Sequence, residues 1–113
     1  MNAIEEQRLI LDQLYRIVRG NCPQNIETAK CRFDYERFED GSSSVSQQFE
    51  YVEAGNLVSA ALDRNLRAAI MPLVKELHAK MKAHTGGDWH AFTLSIDSDG
   101  RVSAKFEYPE EKA

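Results

Sequence analysis

The chain has 113 residues, 42% hydrophobic and 28% charged, which suits one domain with a single core and leaves no room for two. Its 14 basic and 18 acidic side chains give a formal charge of −4, the wrong sign for a protein that tracks a phosphate backbone. Two cysteines are too few for a disulfide framework, and the longest apolar run, residues 68–74, is far short of a membrane span.

The segment "MNAIEEQ" is acidic and lacks the basic-then-apolar order of a secretory signal, so a cytoplasmic protein is expected. From Ile4 to Arg19 the apolar residues Ile4, Leu11, Leu14, Ile17 and Val18 recur at helical steps. Asn2 and Glu5 fit a capping box, and Gly20-Asn21-Cys22-Pro23 ends the helix. From Thr28 the period falls to two. Ala29, Cys31, Phe33 and Tyr35 alternate with Lys30, Arg32, Asp34 and Glu36. After the turn cluster at residues 40–44, Val45, Gln47, Phe49 and Tyr51 alternate in the same way, and setting Phe33 opposite Phe49 centres a hairpin on Gly41.

Asp63 to His84 returns to helical spacing, with Leu66, Ile70, Leu73, Val74, Leu77 and Met81 on one stripe. Pro72 lies inside that stripe, so a single kinked helix is expected, stopped by Gly86-Gly87. In the last segment Phe92, Leu94 and Ile96 oppose Phe106, Ala104 and Val102 only if Ser98-Asp99-Gly100 forms a three-residue loop. That register also answers whether Asp97-Ser98-Asp99-Gly100 is part of a calcium loop. Aligning it to such a loop puts Phe106 where a bidentate Glu is required, and no helices flank it.

The expected fold is therefore α+β in two layers, in the order α-β-β-α-β-β. Two hairpins form a four-stranded antiparallel sheet, covered on one face by two helices. Residues 1–113 form one domain with a frayed tail at 109–113. The uncovered face would carry Arg32, Asp34, Glu36, Gln48, Glu50, Thr93, Ser95, Ser103 and Lys105. Charge is uneven along the chain. Residues 29–53 and 88–113 each hold three basic against six acidic side chains, while residues 63–84 hold five against two.

Catalytic and metal motifs are missing. His78, His84 and His90 are six apart, not at the i, i+4 spacing of a zinc pair, and neither cysteine has a nucleophile motif around it. His78 reads as a helix-surface residue, His84 as a charge on a helix end, and Cys31 as a buried free thiol. Asp34 and Glu36 share a face but read as a solvated charged surface rather than an acid–base pair. Trp89 has the opposite parity to Phe92, so it should point away from the helices or sit at the sheet margin, where it could anchor a partner. The basic second helix has no aromatic platform, and nucleic-acid binding is not expected. No enzyme activity, cofactor, metal or membrane partner is expected.

The run Trp89, Phe92, Leu94, Ile96, Asp97, Asp99, Gly100, Arg101, Phe106 and Tyr108 resembles the closing hairpin of the YezG-like immunity (antitoxin) family, and Glu39 to Tyr51 is similar to its first hairpin. The resemblance implies a small cytoplasmic protein that neutralises a cognate toxin, commonly a nuclease domain, in contact-dependent competition between bacteria. It carries no catalytic residues and no fixed interface. The candidate toxin-binding residues come from strand parity and charge: Asp34, Glu36, Glu50, Asp97 and Asp99 for steering, Trp89 as anchor. The alternative is a small ligand-binding or enzymatic α+β domain with a pocket between sheet and helices, to which His78, His90 or a cysteine would contribute. Assembly through an exposed strand edge is a third reading.

Overall fold

A computed structural model describes residues 3–60 and 64–108. The Asn2 cap, Asp63 and the tail at 109–113 lie outside the described residues. The elements are α1 (Ala3–Gly20), β1 (Ile26–Arg37), β2 (Ser43–Glu53), β3 (Asn56–Ala60), α2 (Arg64–Thr85), β4 (Ala91–Ile96) and β5 (Val102–Glu107). The fold is α+β, with two helices and an antiparallel sheet in the order β3-β2-β1-β4-β5. The sheet has five strands, not the four expected, and the element order gains a strand after the first hairpin. No described helix is long and apolar enough to cross a membrane.

The extra strand is short, and its turn is unconventional. Glu53 pairs with Asn56, so Ala54-Gly55 is a two-residue loop with positive φ at both positions, 52° and 78°. Asn-Gly or Asp-Gly would announce such a turn; alanine does not. Glu27 steadies it by accepting the Gly55 N–H at 2.9 Å.

Alternation sets the faces. Ala29, Cys31 and Phe33 of β1, Phe49 of β2, and Phe92, Leu94 and Ile96 of β4 are buried together with Ile10, Leu14 and Val18 of α1 and Ile70, Val74 and Leu77 of α2. The α1 ridge is thus Ile10-Leu14-Val18, four apart, and Ile4 is 59% exposed rather than in the core. Helix α2 runs continuously through Pro72, whose missing N–H leaves the Ala68 carbonyl without its usual donor. Ile70 and Val74, on either side of it, are both buried. An ion pair of 3.0 Å between Lys80 Nζ and Glu6 Oε2 ties the helices together, and that hydrogen bond raises the Lys80 pKa.

Both expected hairpins are present. In the closing one Phe92, Leu94 and Ile96 face Phe106, Ala104 and Val102, the register that the apolar pairing demanded. In the opening one Phe33 faces Gln47 and Cys31 faces Phe49, a two-residue slip from the expected pairing. A shift of two preserves parity, so the same side chains still point inward.

Candidate functional site

β1 is the central strand, and its outward side chains carry a gradient of charge. Its ladders place Glu50, Lys30 and Ser95 in one row, Gln48, Arg32 and Thr93 in the next, then Ser46, Asp34 and Ala91, and finally Ser44 beside Glu36. Cations therefore occupy the Lys30 end and carboxylates the Glu36 end, about 20 Å away at the rise of a strand. Arg32 joins the two halves. Its Nε lies 3.2 Å from Asp34 Oδ1, and its Nη1 bonds Glu107. With these side chains about one-third exposed, each pair contributes roughly 0–1 kcal/mol.

Beyond Glu36 the chain turns through Phe38-Glu39-Asp40-Gly41-Ser42. The Phe38 N–H donates to the Ser42 carbonyl at 2.8 Å, and the Gly41 N–H to the Phe38 carbonyl at 3.0 Å. Gly41 holds φ of 88°, which suits a residue without Cβ. Asp40 Oδ1 accepts from the Ser42 N–H at 2.9 Å and its hydroxyl at 2.6 Å, and these bonds hold the carboxyl below the usual range. The tip is thereby pinned while Phe38 stays 44% exposed among Glu36, Glu39 and Asp40. An exposed aromatic on a hydrogen-bonded turn, with Glu36, Arg37, Glu39 and Asp40 as its sequence neighbours, has the composition of a binding anchor beside a polar rim.

Of the six residues named from sequence, only Asp34 and Glu36 meet at this end. Glu50 faces Lys30 across the ladder in the other half. Asp97 and Asp99 lie past the Ala29–Ile96 pair, roughly 25 Å from Glu36 along β1. The Asp97 carboxylate is engaged within its own turn, where Oδ1 accepts the N–H groups of Asp99 and Arg101, both at 2.9 Å. Trp89 is a correction: it is 1% exposed and belongs to the core. Strand parity predicts an outward Trp89, but the regular strand begins at Ala91, and the bend at His90 turns Trp89 inward and His90 out. Phe38, Glu39 and Asp40 were not named from sequence. The one available signal was an aromatic breaking the alternation just before the turn residues.

Trp89 packs edge-on to Phe92, 5.1 Å between centroids, and to His78, 4.9 Å. His78 is a second correction, because it is 1% exposed rather than on the helix surface. Its ring stacks on Tyr35 at 4.2 Å, and its Nε2 lies 2.7 Å from Asp88 Oδ1. An ionised carboxylate only accepts, so Nε2 carries the proton of that bond. The bond lowers the Asp88 pKa, aided by Lys82 and Arg37. Asp88 thus contributes stability above the ordinary carboxylate range, and that contribution fades as pH falls through its lowered pKa.

Trp89 and His78 close the end of the core. The cavity beside them, lined by Tyr35, Arg37, Asp88, Trp89 and His90, is about 160 Å³. Burial pushes the Cys31 thiol up to about 12, which leaves it protonated and unreactive at neutral pH. Cys22, also free, donates its thiol to the Val18 carbonyl at 3.3 Å. Among the described residues no three His, Cys, Asp or Glu side chains are grouped as metal ligands.

No family model matches the chain. A protein of Stenotrophomonas maltophilia named "Chorionicgonadotropic hormone-like protein" is 36% identical over 81 residues, which cover 72% of this chain. The match spans 18% of that protein, so the likeness extends to less than a fifth of the relative's length.

Proposed function

We propose that this chain is a non-enzymatic immunity protein of the YezG-like kind, which binds a cognate bacterial toxin domain and blocks it. The partner is a basic domain, a nuclease in the reading that the hairpin resemblance supports, and the encounter takes place in the cytoplasm. The observation that supports the proposal is the hydrogen-bonded, acid-rich tip on which Phe38 is exposed. Carboxylates at Asp34, Glu36, Glu39 and Asp40 raise the rate of encounter with a basic surface, and an aromatic anchor sets how long the complex lasts.

The test is co-expression with the toxin domain encoded beside this gene, scored by growth and by co-purification. Phe38→Ala should weaken binding about 30-fold, mainly through faster dissociation. Glu36→Lys should slow association and reduce its dependence on salt. If neither growth rescue nor a complex is seen with the native chain, the immunity reading is wrong. If rescue persists undiminished in the Phe38→Ala, Glu36→Lys double variant, the interface lies elsewhere.

A further inference from the structure

The loops that close the two hairpins share one hydrogen-bond pattern. In each, the first residue donates its N–H to the carbonyl at the loop's far side, Phe38 to Ser42 at 2.8 Å and Asp97 to Arg101 at 2.9 Å. In each, a glycine N–H returns to the carbonyl of that first residue, Gly41 to Phe38 and Gly100 to Asp97, both at 3.0 Å. The two glycines hold φ of 88° and 81°. Residues 38–42 therefore correspond one by one to residues 97–101. Phe38 stands where Asp97 stands, and Asp40 where Asp99 stands.

The corresponding side chains act differently. In the closing loop the first residue caps its own turn, with Asp97 Oδ1 accepting the N–H groups of Asp99 and Arg101. An Asp or Asn in that role is the ordinary way to steady such a turn. Phenylalanine has no acceptor to offer. In the opening loop the N–H of Ser42, the counterpart of Arg101, goes to Asp40 Oδ1 instead, and the Ser42 hydroxyl joins it at 2.6 Å. The cap lost at the first position is thus rebuilt from inside the loop, while Phe38 stays 44% exposed. A local rule broken at one residue and compensated two residues later is expected where function holds the first residue in place.

We propose that Asp40 and Ser42 are positioning residues for the toxin-binding tip: their clasp replaces the cap that Phe38 displaces and holds the loop in the shape that presents the ring. This inference rests on the toxin-binding reading above and adds a division of roles to it. The charge of Asp40 belongs to the acidic field, whereas its geometry acts through Ser42 on Phe38. A loop ordered before the encounter need not be ordered during it, so the clasp prolongs the complex. The partner it suits has a preformed apolar socket inside a basic rim, into which a fixed ring can enter.

The experiment compares Asp40→Ala, Asp40→Asn and Ser42→Ala in the full chain. Asparagine keeps an acceptor oxygen for both Ser42 donors and removes only the charge. Amide relaxation of the free chain reads the order of the tip without any partner. Order parameters at residues 39–42 should match the native chain in Asp40→Asn and fall below about 0.6 in Asp40→Ala. Stopped-flow kinetics with the toxin domain encoded beside this gene read the consequence. Dissociation should be about five-fold faster in Asp40→Ala, about two-fold faster in Ser42→Ala and native in Asp40→Asn. Association should slow equally in the two Asp40 variants, which lose the same charge, and stay native in Ser42→Ala. If Asp40→Asn dissociates as fast as Asp40→Ala, or if the tip of Asp40→Ala stays ordered, the positioning role is wrong and toxin binding still stands. Native dissociation of Asp40→Ala has the same meaning. Absence of a complex with the native chain overturns the toxin-binding reading and the positioning role together.

Discussion

At the tip between β4 and β5 the carboxylate of Asp97 turns back on its own chain and accepts two amides, and Gly100, with φ of 81°, completes the loop. At the tip between β1 and β2 a single carboxylate, Asp40, does that task, leaving Phe38 and Glu39 on the surface with Glu36 behind them. The root of the closing hairpin is aromatic, built on Trp89, Phe92 and Phe106. The opening hairpin keeps an exposed aromatic beyond the end of the core. Both tips are rich in Asp and Gly, yet in one the Asp97 carboxylate of the turn is folded back on the loop and in the other an aromatic side chain is left exposed. What separates them is where the carboxylate oxygens point, and composition does not report that.

The sharpest break in this comparison is at the closing root. Trp89→Ala should destabilise the fold by about 3–5 kcal/mol, the range for deleting a fully buried aromatic. Urea denaturation followed by circular dichroism measures it, since the chain's one Trp is the residue removed. That loss is a large share of the roughly 5–15 kcal/mol typical of a domain. A cost below about 1 kcal/mol would place Trp89 at the surface, as its parity predicts.

The closing tip is the next place to press. Asp97→Ala removes the acceptor for two N–H groups and should cost about 1–2 kcal/mol, comparable with loss of a helix cap. Asp99 takes no part in those bonds through its side chain, and Asp99→Ala should stay within about 0.5 kcal/mol. Equal costs would mean that the carboxylates of this turn act through general charge and not through the two bonds to Asp97.

These turns also explain what the sequence disclosed. The closing hairpin was legible to the residue because apolar pairing and a glycine able to take positive φ demanded one register. The opening hairpin was legible in its faces but not in its pairing, since a shift of two leaves every inward side chain inward. Trp89 and His78 depart from expectation for a related reason. The period of β4 does not extend across the bend at His90, and a polar ring can be buried where Tyr35 stacks on it and Asp88 accepts its N–H. The candidate site was half legible. Asp34 and Glu36 follow from alternation, whereas the exposure of Phe38 depends on where the strand stops.

β3 was missed because its turn lacks the usual residues, and this supplies the finest test. Ala54 sits at φ of 52°, a conformation that costs an L-residue with a Cβ roughly 1–2 kcal/mol and that asparagine tolerates better. Ala54→Asn creates the Asn-Gly pair favoured in two-residue hairpins and should stabilise the domain by about 0.5–1 kcal/mol, read as a higher urea midpoint at unchanged slope. The side chain is exposed and makes no core contact, so any gain arises from backbone conformation rather than packing. It also bears on β3, which depends on this turn to stay seated on β2. Loss of stability in Ala54→Asn would mean that residues 53–56 do not form the tight turn, and β3 would lose its basis.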